Sequence, residues 1–307
     1  MDKIKKVFQF LLGKINDLRL MVLPFWKKLW YFSNFNKTRY TKLGRGKKML
    51  SWLYSFVLGF VLFFIAFEIN FLWIFGHMPS MQEVKNPKIA LITEVYSADK
   101  KLMGTFFVEQ RTPVDFKEIH PKTIEALIAT EDIRFYKHHG LDFYALSAAF
   151  VATLKGNKRG GSTITQQLVK NVYRTRNFGS KGLLGYVPLV RTIIAKLKEW
   201  ITALKIEFYY SKEEILTMYF NVVDFGNNSY GIKTASEFYF SKSPNKLKVE
   251  EGAMLVGMLK APSYYNPKNS IKKATERRNV VLSQMAKYNF ISDKEKEKYS
   301  KKKVKLR

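Results

Sequence analysis

Ala126 to Gly140 reads ALIATEDIRFYKHHG, and its spacing sets the class of the fold. Ile124, Leu127, Ile128 and Phe135 recur at helical intervals and form one apolar stripe. Glu131 falls on that stripe, three residues after Ile128 and four before Phe135. A carboxylate set among apolar neighbours holds its proton more tightly than one in water, which suits a general acid or base. The same spacing fits a core glutamate satisfied by an ion pair, and periodicity alone leaves both readings open. From about Pro121 to Tyr288 the pattern stays mostly helical, with breaks at His139-Gly140, Gly156 to Gly161, Phe225 to Asn228 and Ala261-Pro262. The predicted fold class is therefore mainly α.

Two later segments carry further chemistry. Lys158 to Asn171, KRGGSTITQQLVKN, is a glycine-rich turn that runs into a helix pattern. Thr163 and Gln166 have capping-box spacing, and free N–H groups at a helix start attract anions. Lys155, Lys158 and Arg159 precede that start, and Lys170 and Asn171 lie about two turns beyond it. The set fits a phosphate or pyrophosphate site, and it equally fits simple capping; the GxxxxGK[ST] loop is absent. In Ala195 to Asn221, the residues Ile193, Leu197, Ile201, Leu204 and Phe208 are expected to face the core. Lys196, Glu199, Ala203 and Glu207 form a neighbouring stripe, so Lys196 and Glu199 look the same way, as a site or as an exposed pair. His138 and His139 point in different directions and have no third ligand in the sequence. A structural role is expected for His138 and no metal site. Ser-x-x-Lys occurs at Ser97, Ser270 and Ser300 without a Lys-Thr-Gly companion, so no transpeptidase site is expected.

The chain has 307 residues, 47% of them hydrophobic, enough for one packed domain and an anchor. It has no cysteine, which excludes disulfides and thiolate metal sites. Its net charge of +28 implies an anionic partner: nucleic acid, a membrane surface or a phosphorylated substrate. Ser51 to Phe75 is almost wholly apolar, with Glu68 its one carboxylate and Trp52, Tyr54 and Trp73 near its ends. That is the expected form of a transmembrane helix. The basic residues ahead of it, Lys27, Lys28, Lys37, Arg39, Lys42, Arg45, Lys47 and Lys48, keep the N-terminus cytoplasmic and put the rest outside. Nucleic acid is then not an expected partner. Val7 to Phe32 fits either a helix on the inner membrane surface or a loose tail. Leu91 to Tyr96 and Gly104 to Glu109 read as strands around a turn at Ala98-Asp99-Lys100. The expected organisation is a basic cytoplasmic segment (1–50), a transmembrane helix (51–75), a linker with a β-hairpin (76–120), a catalytic domain (121–290) and a charged tail (291–307).

Together and in this order, the segments resemble glycosyltransferase family 51, the peptidoglycan glycosyltransferases. The family's EDxxFxxHxG is similar to Glu131, Asp132, Phe135, His138 and Gly140. Its GxSTxTQQLxKN is similar to Gly160, Ser162, Thr163, Thr165, Gln166, Gln167, Leu168, Lys170 and Asn171. Its RKxxE and ILxxYLN are similar to Lys196 and Glu199, and to Ile215, Leu216, Tyr219 and Asn221. Tyr230 to Pro267 and Arg277 to Leu282 carry two more of its motifs. One residue departs: Ala195 stands at the family's arginine, and Arg191, one turn earlier, is the expected substitute.

The resemblance implies a lysozyme-like bilobal domain with a groove for lipid II and for a glycan on undecaprenyl pyrophosphate. It implies that Glu131 and Glu199 are catalytic. Asp132, Phe135, Ser162, Thr163, Gln167, Lys170, Asn171, Arg191 and Lys196 would hold substrate. Glu131 would deprotonate the acceptor 4-hydroxyl in an inverting displacement, and Lys170, Lys196 and Arg191 would stabilise the departing pyrophosphate. No cofactor is required; a divalent cation, Mg2+ or Mn2+, is allowed for beside Glu199. The lipid bilayer and cell-wall synthesis proteins are the expected partners, at the bacterial cytoplasmic membrane. Leu183 to Leu189 is expected either to touch that membrane or to be buried. The implied enzyme is monofunctional or the glycosyltransferase part of a class A penicillin-binding protein. A lysozyme-like hydrolase and a non-catalytic scaffold are the alternatives.

Overall fold

The computed structural model describes residues 45–87, 93–96, 102–106, 110–157, 160–176, 182–303 and 305–306. The expected cytoplasmic segment up to residue 44, the turn at 98–100 and the cations Lys158 and Arg159 lie outside the described residues. The chain divides into two compact units, Met1–Ile69 and Asn70–Arg307.

In the first unit, helix α1 (Arg45–Glu68) exposes most of its apolar side chains, buried Phe67 and half-buried Phe64 excepted. Trp52, Phe56, Phe60 and Phe64 stack one helical turn apart, with ring centroids 5.7, 6.4 and 4.7 Å apart. Among the described residues, no helix is long and apolar enough to cross a membrane. The expected span to Phe75 is not one helix. At the start of the second unit Asn70 adopts φ 49°, ψ 50°, a left-handed conformation that a continuing α-helix cannot contain, and Phe71–Trp73 form a separate 3-10 turn.

The second unit begins with α2 (Met81–Lys85), started by a Ser80–Glu83 capping box. Strands β1 (Thr93–Tyr96) and β2 (Leu102–Phe106) pair antiparallel, Thr93 opposite Phe106. The rest is helical: α3 (Pro121–Glu131), α4 (Phe143–Leu154), α5 (Ile164–Tyr173), α6 (Pro188–Tyr209), α7 (Lys212–Val222), α8 (Ile232–Phe240), α9 (Val249–Met258), α10 (Ile271–Lys287) and α11 (Asp293–Ser300). Two-residue strands β3 (Gln110–Arg111) and β4 (Ser229–Tyr230) pair in parallel. Proline at the first turn of α3 and α6 needs no hydrogen-bond partner there, which explains both starts. Helices α9 and α10 pack on each other and on α3; α5 packs against both α6 and α7. Their shared core includes Leu127, Leu168, Leu216, Leu255 and Leu282, all fully buried.

Helix α6 faces the opposite way from its predicted orientation. Its buried residues are Ile194, Ala195, Lys198, Glu199, Thr202, Ala203, Lys205 and Ile206. The stripe expected in the core turns outward: Ile193 is 54% exposed, Leu204 45% and Phe208 77%. The inward Glu199 and Lys205 explain the inversion, because both have partners in the domain. Lys205 Nζ donates to the Pro79 carbonyl at 2.9 Å, and Glu199 is held by the cations described below. Burial and unmade hydration push Lys198 down to about 8. The segment ahead of α2 is thus tied to α6, and Tyr210 adds a hydrogen bond from its hydroxyl to the Lys85 carbonyl at 2.8 Å.

Gly140 joins the α3 region to α6. Its φ is +80°, and a Cβ there would lie 2.9 Å from the Ala203 carbonyl oxygen, a backbone atom that cannot swing aside. Gly140→Ala is therefore expected to cost about 2–4 kcal/mol from the combined backbone strain and clash. A drop in thermal midpoint measured by circular dichroism checks this; an unchanged midpoint would contradict the close approach.

Candidate active site

Glu131 is the last residue of α3, and the chain leaves the helix at Asp132. It stands half-exposed on the wall of an open cleft of about 700 Å³ and not inside the apolar stripe of its helix. Gln167 Nε2 on α5 donates to Glu131 Oε2 at 2.8 Å. The Tyr219 hydroxyl on α7 donates to Gln167 Oε1 at 3.2 Å. Tyr219 is fully buried, and burial followed by the Glu131 charge pushes its hydroxyl well above the ordinary range. Tyr219 therefore stays a donor. That orients the Gln167 amide with its nitrogen toward Glu131.

Asp132 is buried beside it. Both carboxylate oxygens lie 3.0 Å from His138 Nε2, and Oδ2 also accepts the Ile164 backbone N–H at 3.0 Å. The N-terminus of α5, expected to attract a phosphate, is thus filled by the protein's own carboxylate. Thr163 caps α5 by accepting from the Gln166 N–H at 3.2 Å, and its hydroxyl donates to the Gly140 carbonyl at 2.7 Å. Gln166 is not a capping-box partner. Its Nε2 donates to Gly140 O at 3.1 Å, and its Oε1 accepts from Lys196 at 3.0 Å. Phe135, expected to hold substrate, is fully buried, with Lys212 Nζ 4.3 Å above its ring, so it supports the turn from within.

A cation cluster lies on the α5–α6 side. Lys196 Nζ donates to Ser162 Oγ at 2.8 Å and to Glu199 Oε2 at 2.8 Å. Arg176 Nε donates to Glu199 Oε1 at 2.9 Å, and Arg176 Nη2 reaches Oε2 at 3.4 Å. Lys170 sits in the same field: burial lowers its pKa, Arg176 and Lys196 lower it further, and Glu199 and Glu131 oppose them. Three cations against Glu199, only 1% exposed, leave an excess of positive charge facing outward. Arg176 holds the place expected for Arg191, which is exposed on the first turns of α6 and belongs to no ion pair among the described residues. The signal for Arg176 was present as the basic Arg174-Thr175-Arg176 directly after α5. Asn171 is half-buried, one residue beyond Lys170.

The donor set does not fit a divalent ion at Glu199, because cations already occupy both of its oxygens. Asp132, His138 and Asp142 are the group with metal-ligand proximity among the described residues. There the His138–Asp132 hydrogen bonds and the Arg134–Asp142 ion pair, 3.1 Å, already account for the charges.

A half-exposed carboxylate on an open cleft is thus linked through a single glutamine to α5, in a helical domain where α5, α6 and the turn after α5 bring three cations around Glu199. Comparison with known proteins places that arrangement. The chain belongs to the transglycosylase family, whose model matches residues 99–286. It is 42% identical over 204 residues to penicillin-binding protein 1A of Haemophilus influenzae, covering 66% of this chain and 22% of that protein. It is 39% identical over 262 residues to penicillin-binding protein 1A/1B of Bacillus subtilis, covering 84% and 27%. The crystal structure of the H. influenzae protein aligns with a TM-score of 0.41 at 26% identity, over 72% of this chain and 22% of that one. The chain thus spans about a quarter of the length of these relatives.

Proposed function

We propose that this chain is a membrane-anchored peptidoglycan glycosyltransferase that joins lipid-linked disaccharides into β-1,4 glycan strands. The observation that carries the reading is the Gln167 link between Glu131 on the cleft and the helix bearing Lys170. It puts a base and a cation about one turn apart along one short helix, as a displacement with a pyrophosphate leaving group requires. Glu131 takes the proton from the acceptor 4-hydroxyl, and that oxygen attacks C1 of the donor sugar. The C1–O bond to pyrophosphate breaks with inversion, and the leaving oxygen's charge falls to Lys170, Lys196 and Arg176. Glu199 is a positioning residue: it does not face substrate but holds Lys196 and Arg176 in place. A hydrolase acting on glycan without lipid has no use for such a cluster.

The anchor is α1. Its described apolar run, Trp52 to Phe67, is 16 residues, short of the ~20 that a span needs. Exposed Met49 and Leu50 before that run and Ile69 after it extend the apolar surface within the same unit. In the second unit Phe143, Phe150, Leu154, Leu183, Tyr186 and Leu189 are also exposed, more apolar surface than water tolerates and suited to a bilayer face. Purified full chain with labelled lipid II in detergent is expected to release polymer and undecaprenyl pyrophosphate. A folded protein that polymerises no lipid II, whatever its stem peptide, overturns the reading.

A further inference from the structure

The α10 wall of the cleft is unused by the mechanism above. Its last turns contribute Gln284, Lys287 and Tyr288 to the same cleft that Glu131 lines. Helix α10 packs on α3 and α9, whereas the cation cluster belongs to α5 and α6 and the turn after α5. Glu131, at the end of α3, therefore has the pyrophosphate side on one flank and α10 on the other. In an inverting displacement the acceptor approaches from the face opposite the leaving group, with the base beside its hydroxyl. The α10 flank is then where the acceptor lies.

Among the described residues, two cations line this cleft, Arg134 and Lys287. Arg134 is balanced by Asp142 at 3.1 Å and lies 4.7 Å from the centre of the Tyr144 ring. Lys287 is exposed, joins no ion pair among the described residues, and lies 5.3 Å from the centre of the ring of its neighbour Tyr288. We infer that Lys287, supported by Gln284 and Tyr288, determines acceptor affinity by binding an anionic group of the incoming lipid-linked disaccharide. This rests on the glycosyltransferase reading. The anion is either the acceptor's pyrophosphate or a carboxylate of its peptide, since an ammonium recognises both in the same way.

The test uses the full chain, with a donor whose own 4-hydroxyl is capped held at fixed concentration. Initial rates are measured against increasing acceptor. Lys287→Gln is expected to raise the acceptor KM about tenfold with kcat within about twofold, and Lys287→Arg to restore it. Repeating the titration with a peptide-free acceptor identifies the anion. An effect that persists assigns the pyrophosphate, and one that vanishes assigns the peptide carboxylate. An acceptor KM unchanged in both Lys287→Gln and Lys287→Glu, with wild-type polymerisation intact, overturns the inference alone. A wild-type chain that makes no polymer instead overturns the glycosyltransferase reading beneath it.

Discussion

Glu131→Gln is expected to lower kcat for polymerisation by about 10²- to 10⁴-fold, the usual contribution of a positioned general base. KM should change little. The substituted amide keeps nearly the same shape, and its oxygen can still accept from Gln167 Nε2, which donates to Glu131 at 2.8 Å. What disappears is the ability to take a proton. Because Glu131 is half-exposed at the end of α3, the fold should survive, with a change of about 0.5 kcal/mol or less. Steady-state rates on labelled lipid II, together with a thermal melt, separate the two effects. A variant that keeps a third or more of the wild-type rate would remove Glu131 from the role of base.

The second large effect is expected at Glu199. Glu199→Gln leaves Lys196 and Arg176 without the carboxylate that they share, at 2.8 and 2.9 Å. Glu199 is buried but Arg176 is 58% exposed, so solvent screens much of the loss, and the stability cost is about 1–2 kcal/mol. The rate should fall by about 10²-fold, because cations left to repel one another no longer sit where the leaving charge develops. The pH profile carries the sharper signature. Lys170 is lowered first by burial and then by Arg176 and Lys196, while Glu199 raises it. A lysine is charged below its pKa, so activity that needs Lys170 is lost as pH rises through that value. Removing Glu199 lowers the pKa further, so the alkaline limb of kcat/KM should move to lower pH. A profile with an unmoved alkaline limb would separate Glu199 from Lys170 and leave it a purely structural residue.

Both variants test residues whose placement was legible from spacing, while their roles came from the resemblance to the family; the reasons that placement was legible are local. Glu131 ends a helix whose apolar stripe was plain in Ile124, Leu127 and Ile128, all buried as expected. Lys196 and Glu199 are three residues apart on one helix, so their 2.8 Å contact needs nothing beyond helical geometry. Thr163 was legible as a cap because its hydroxyl acts on a backbone N–H three residues away. Each of these relations is contained within about one turn of chain.

What failed was whatever depended on the other side of an interface. Spacing shows which residues share a helical face but not what that face meets, so the apolar stripe of α6 was expected inward. The domain instead buries Lys198, Glu199 and Lys205, because Lys205 and Glu199 find acceptor or cation partners inside it. Spacing left the α5 N-terminus as either a phosphate site or a simple cap, and could not show that Asp132, 32 residues earlier, reaches it. Arg191 was expected to replace the arginine lost at Ala195, since it lies one turn away on the same helix; the arginine that pairs with Glu199 is Arg176, from another segment. The sequence alone therefore determined the helices, the place of Glu131 at the end of one of them and the Lys196–Glu199 pair, all products of short-range periodicity. The tertiary structure alone decided which faces are buried, which charge fills the helix end and which arginine pairs with Glu199. Each of those depends on residues brought together from distant parts of the chain.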